Sequence, residues 1–115
     1  MKTLIVVDMQ NDFIDGALGT PEAKAIVSNV KKKIEEYRER EGDEIIFTRD
    51  THTENYLNTQ EGRNLPVVHC VFGTNGWQIH DELKPNIIPD SFAESVVNKY
   101  SFGDLKLGET FDEYP

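Results

Sequence analysis

Apolar residues near the start of this chain fall into short runs whose period then changes. Leu4-Ile5-Val6-Val7 is an unbroken apolar run closed by Asp8, the pattern of a strand buried on both faces. A polar loop follows, with Asp15-Gly16 as its turn signal. Thr20-Pro21-Glu22 then opens a helix, with a hydroxyl N-cap, proline at the first helical position and a carboxylate in the first turn. Ala23, Ile26, Val27, Val30, Ile34 and Tyr37 recur at three- and four-residue steps and form one apolar stripe, with Gly42 as the expected terminator. Glu44-Ile45-Ile46-Phe47-Thr48 is a second buried strand, ending at Arg49-Asp50. Strand, helix and strand with tight connections predict the βαβ unit of a parallel sheet, and so an α/β fold.

Beyond Asp50 the signals weaken. Thr51 to Asn64 is polar and without period, Pro66 to Val71 reads as extended chain, and Trp77 to Leu83 reads as a short helix closed by Pro85. Ser95-Val96-Val97 is a third strand ending at Asn98-Lys99, and Leu105 to Glu113 reads as the start of another helix. Three strands make a thin sheet, and the pattern calls for a further strand where the chain reaches Tyr114-Pro115. The expectation is one domain over residues 1–115, incomplete at its C-terminus. Such a domain leaves a sheet face and edge uncovered, so the chain is expected to be poorly soluble alone, to associate with a copy of itself as a homo-oligomer, or to need the missing part.

Composition narrows the partners. The chain has 115 residues, 37% of them hydrophobic, which suits one globular domain without linker or repeat. With 21 acidic against 12 basic residues its net charge is -9, which argues against nucleic acid or an anionic membrane as partner. The Lys31-Lys32-Lys33 cluster, followed by Glu35 and Glu36, reads as a solvated helix face. A single cysteine, Cys70, excludes an internal disulfide, and the run from Leu4 to Val7 is too short for a membrane span. The expected location is the cytoplasm.

The chemistry gathers at strand ends, where ligands of open α/β sheets bind. Asp8 follows the first strand, Asp50 the second and Lys99 the third. Asp50 and His52 are two apart in extended chain and point the same way, so both can ligate one divalent ion, with Glu61 and His69 completing the set. Oxygen and imidazole ligands suit zinc, iron or manganese. His69 is adjacent to Cys70, but neighbours on a strand face opposite ways, so Cys70 reads as a small buried hydrophobe rather than a partner of His69. Asp8, Gln10 and Asp12 have calcium-loop spacing, but Phe13 and Gly19 stand where such a loop needs glycine and an acid.

Taken together, the segments 4–13 (LIVVDMQNDF), 47–52 (FTRDTH), 65–74 (LPVVHCVFGT) and 98–102 (NKYSF) resemble the isochorismatase/nicotinamidase superfamily of cysteine hydrolases, in the family's order. The resemblance implies a three-layer α/β/α fold around a parallel sheet. It implies an amidase in which a cysteine thiolate attacks an amide carbonyl, forming a thioester that water cleaves. Asp8 takes the general-base role, Lys99 supports the thiolate, and Phe13 walls the pocket of a small amide substrate. Asp50, His52 and His69 become metal ligands, with Glu61 at the family's variable fourth position and zinc as the first choice of ion. In the nicotinamidase branch that metal holds the substrate's ring nitrogen and water. The family nucleophile falls beyond residue 115, so the chain alone is expected to be inert. Two rival readings stand beside this one: an isochorismatase-like vinyl-ether hydrolase, a branch that generally lacks the metal ligands, and a non-catalytic truncated relative that binds metal or a partner.

Overall fold

The computed structural model describes residues 1–100. Strand β1 (Thr3–Val7) leads through a single-turn helix α1 (Asn11–Ile14) into the long helix α2 (Pro21–Arg38) and strand β2 (Glu44–Thr51). A 3₁₀ turn (Tyr56–Asn58), helix α3 (Gln60–Asn64) and a second 3₁₀ turn (Asp81–Leu83) precede strand β3 (Glu94–Tyr100). The sheet order is β1-β2-β3 and both pairings are parallel, as the βαβ reading required. The helix expected over Leu105 to Glu113 lies outside the described residues.

Helix α2 begins where its N-cap signal placed it. The Thr20 hydroxyl accepts from the Ala23 N–H at 3.0 Å, and Pro21 occupies the first turn, where no N–H is missed. Val27 and Ile34 are buried against Val6, Ile45 and Phe47, with Val30 and Tyr37 packed beside them. Ile26, at the margin of the stripe, is 45% exposed. The helix ends at Arg38, ahead of Gly42, whose φ of 88° belongs to the turn into β2.

Three expectations need correction. Strand β1 is buried on one face only: Val6 is 5% exposed, but Ile5 and Val7 on the other face are 56% and 58% exposed. Strand β2 runs on to Thr51, because β3 pairs with its polar end as well as its apolar one. The helix expected over Trp77 to Leu83 is only the turn Asp81–Leu83. The backbone before it is committed elsewhere: Gln10 and Ile79 form an antiparallel bridge, and the carbonyls of Gly76 and Gln78 accept from Asp12 and Asn11. Ile79 and Leu83 instead anchor this loop in the core.

One ion pair ties the end of α2 to the start of β3. Arg38 donates through Nε and Nη2 to the two Glu94 oxygens at 2.7 and 2.9 Å, and Asn86 N–H donates to the same carboxylate at 2.8 Å. Burial alone would raise the Glu94 pKa; the hydrogen bonds of Arg38 and of the Asn86 N–H, with the charge of Arg38, outweigh it and lower it. A carboxylate with a depressed folded pKa contributes stability above its unfolded value of 4.5, and that contribution is lost as pH falls through the folded value. Glu94→Gln is therefore expected to cost about 1–3 kcal/mol at neutral pH, nearer the lower figure because Arg38 is partly exposed. Urea melts at neutral and acidic pH check this: the variant should lose less of its stability on acidification than the wild type.

Candidate active site and metal centre

The rim at the C-terminal end of the sheet is built from the last residues of each strand. Asp8 leaves β1 with φ 51°, a left-handed turn that aspartate tolerates better than most residues. The turn is held by its N–H, which donates to the Thr48 carbonyl at 3.1 Å and to the Thr48 hydroxyl at the same distance. The Thr48 hydroxyl in turn donates to Asp8 Oδ1 at 2.8 Å, and Lys99 Nζ donates to Asp8 Oδ2 at 2.6 Å. Both side chains of this pair are 21% exposed, so the charges meet where solvent still reaches. Lys99 arrives there because β3 places it opposite Asp50.

Asp50, His52, Glu61 and His69 form a second cluster, with one candidate ligand atom from each lying within 4.8 Å of the others. Asp50 Oδ2 is 2.9 Å from His52 Nε2 and 3.7 Å from His69 Nε2. Burial acts to raise the Asp50 pKa, but the hydrogen bond of His52 and the charges of His52, Lys99 and His69 outweigh it, and the carboxyl sits below its ordinary value. His69 is brought in by segment 66–71, which runs beside the end of β2: His52 N–H donates to the Cys70 carbonyl and Phe72 N–H to the His52 carbonyl, both at 2.9 Å. His69 Nδ1 lies 2.6 Å from the Val67 carbonyl, which fixes Nδ1 as the protonated nitrogen and turns Nε2 toward Asp50. Glu61 is exposed and sits in the first turn of α3. Gly62 beside it is buried, and a Cβ there would overlap the Tyr56 carbonyl, so only glycine lets α3 approach this closely.

The donor set fits a divalent ion. Bonds of about 2.0–2.2 Å in tetrahedral geometry separate neighbouring ligand atoms by roughly 3.4 Å. The His69 contact of 3.7 Å would close by roughly 0.3 Å and the Asp50–His52 hydrogen bond would open by roughly half an ångström. Tyr56, fully buried, packs its ring against His52 and His69 at centroid distances of 4.5 and 4.9 Å and donates its hydroxyl to the Leu65 carbonyl. Phe13 stands half-buried with its ring 5.5 Å from that of His69, so the expected pocket wall does border the cluster.

Cys70 is fully buried, and burial first, then Asp50, Asp12 and Asp8, pushes its thiol well above the usual range. Such a thiol is a poor nucleophile. The strand argument for it needs amending, because Cys70 has φ 48° and lies in no regular strand. Its N–H donates to Asp12 Oδ2 at 2.7 Å, which gives Asp12 a loop-organising role.

Gln10 was not visible as a site residue in the sequence. Its buried amide replaces a strand: Oε1 accepts from Asp50 N–H at 2.9 Å, while Nε2 donates to the carbonyls of Asp50 and Trp77 at 2.9 and 2.8 Å. It continues the ladder past the end of β1 and so holds Asp50 in place. Thr48 and Tyr56 were missed for the same reason, since a lone hydroxyl in a polar run carries no spacing signal. Gln10→Leu strands three backbone groups and is expected to destabilise the fold by about 2–4 kcal/mol. A denaturant midpoint and a zinc titration together check this; a variant as stable as wild type would show that Gln10 does not hold the rim.

Comparison with known proteins agrees with this fold. Residues 2–114 match the family model of the isochorismatase domain. The chain is 31% identical to the nicotinamidase of Saccharomyces cerevisiae over a 140-residue alignment, spanning 98% of this chain and 63% of that protein. It is 29% identical to the nicotinamidase of Escherichia coli, covering 87% of this chain and 55% of that one. Among solved structures, the pyrazinamidase of Pyrococcus horikoshii in complex with zinc superposes with a TM-score of 0.66 at 35% identity, over 90% of this chain and 54% of that one. The N-carbamoylsarcosine amidase of Thermoplasma acidophilum superposes at 0.69 with 30% identity, over 96% and 62%. The chain thus spans less than two thirds of the length of these relatives. A parallel sheet with this rim, matched along nearly its whole length by one family model, makes the chain a member of the isochorismatase family.

Proposed function

We propose that this chain carries the acid–base pair and the metal centre of a nicotinamidase-type amidase, which cleaves the C–N bond of a small carboxamide through a cysteine thioester. The observation that carries the reading is the convergence of Asp50, His52, Glu61 and His69 beside the Asp8–Lys99 pair, on one rim. The relatives named nicotinamidase and pyrazinamidase support it.

Each residue has a part in that chemistry. A thiol facing Asp8 gives up its proton to that carboxylate, and the Lys99 ammonium stabilises the resulting thiolate. The thiolate adds to the amide carbonyl; Asp8 returns the proton to nitrogen, the C–N bond breaks and ammonia leaves. Asp8 then takes a proton from water, whose oxygen attacks the thioester, and the C–S bond breaks to release the carboxylic acid. The thiol is not Cys70, whose burial keeps it protonated. Asp50, His52, His69 and Glu61 would hold the ion, zinc first with iron or manganese as alternatives, and the ion would bind and orient the substrate and its water. Phe13 walls the planar part of the amide. A thiol-dependent enzyme of this kind belongs in a reducing compartment such as the cytoplasm.

A second reading has one observation in its favour. Cys70 is fully buried, so a non-catalytic relative that binds metal through the same ligands stands as the rival.

Two measurements separate these. Protein prepared without chelator is expected to bind one equivalent of zinc, and His52→Ala should weaken that binding by about 10–100-fold or more. Equal zinc content in both would remove the metal centre. Zinc-loaded protein expressed from its natural gene should release ammonia from nicotinamide, and Asp8→Asn should lower kcat by roughly 10²–10⁴-fold. Zinc binding through His52 without ammonia release would favour the non-catalytic reading.

A further inference from the structure

Strand β2 turns Asp50 toward the candidate metal cluster on one face and something different toward the other. Asp50 faces His52 and His69, whereas Arg49, its neighbour, points to the opposite side. There Arg49 lines an open cleft of about 450 Å³ between the end of β2, β3 and loop 75–87. None of the residues assigned to the rim chemistry lines this cleft.

Arg49 is held in place but not used up. Its guanidinium lies 3.8 Å from the Trp77 ring centroid, and its Nε donates to Asn98 Oδ1 at 2.8 Å. Trp77 is itself fixed, 7% exposed and donating its indole N–H to the Thr51 hydroxyl at 3.0 Å. A stacked, braced guanidinium loses little further freedom when it binds. Among the described residues no hydrogen bond or ion pair engages its two terminal nitrogens, which are the fork that matches a carboxylate or phosphate. The Lys84 ammonium, on the same cleft, also has no such partner among the described residues. Against these two cations stands one acid, Asp81, on a chain whose net charge is -9. Ile79, Ile87 and Val96 supply an apolar wall, and Asn75 and Gln78 supply amides. An apolar cleft with a few fixed polar groups is what recognises a small organic molecule.

We propose that this cleft binds a small organic anion, its carboxylate or phosphate on the fork of Arg49 and the ammonium of Lys84 and its apolar body against Ile79, Ile87 and Val96. The site is separate from the rim, and its occupancy does not depend on the amidase reading. It also reports on itself, because Trp77 beneath Arg49 is the sole tryptophan of the sequence.

Titration of the metal-free protein with cyclohexanecarboxylate, cyclohexyl phosphate, inorganic phosphate and the neutral cyclohexanecarboxamide tests it, read by Trp77 fluorescence and calorimetry. Saturable binding of one or both organic anions is expected, with the carboxylate and phosphate arms telling which head group the fork prefers. Arg49→Gln should weaken the preferred anion roughly tenfold or more, the loss of a charged hydrogen bond. Lys84→Gln, an exposed substitution that leaves the fold intact, should weaken it severalfold and decides the matter if Arg49→Gln does not fold. Equal binding of the neutral amide, binding of inorganic phosphate as tight as that of the organic anions, or an affinity unchanged by Lys84→Gln would overturn the proposal, as would absence of saturation.

Discussion

Strand β2 is hydrogen-bonded on both sides, with Thr48 opposite Val7 and Asp50 opposite Lys99, and this double pairing fixes what faces the rim. In a sheet a slip of one residue turns every side chain to the other face. Here the apolar part of the strand forbids the slip: Ile45 and Phe47 are buried under α2, and moving either to the far side would give up core packing. The polar end therefore inherits its orientation from the apolar end. Thr48 meets Asp8, Asp50 meets the two histidines, and Arg49 is sent to the opposite face, each by alternation from Phe47.

The same alternation explains which parts of the fold were legible in the sequence. Strand β1, helix α2 and the start of β2 announce themselves through apolar runs and one capped stripe, signals that survive without tertiary context. The convergence of Asp50, His52 and His69, and of Lys99 on Asp8, was legible because strand ends attract ligands and because the motif similarity spans several segments in order. Gln10 was not: a buried amide that imitates a strand looks like any polar loop residue until its partner Asp50 is beside it. The segment from Trp77 to Leu83 misled in the other direction. Ile79 and Leu83 are one helical step of four apart, yet the bridge of Ile79 to Gln10 claims the backbone groups that a helix would need.

The exposed face of β1 has a related origin. A run such as Leu4 to Val7 reads as buried on both sides, but only the side of Val6 is covered among the described residues. That open face lies on the same side of the sheet as Thr48 and Asp50, since Ile5 pairs with Ile46 and Val7 with Thr48. The exposed apolar surface and the Asp8–Lys99 pair thus adjoin one another.

The central claim is that the rim set by β2 is a metal centre next to an acid–base pair. Anomalous diffraction at the zinc edge from crystals grown with zinc tests it most directly. The account predicts one strong peak about 2.0–2.2 Å from an Asp50 oxygen, His52 Nε2 and His69 Nε2, with Lys99 still bonded to Asp8 beside it. A peak elsewhere on the acidic surface, or none at these three side chains, would contradict it.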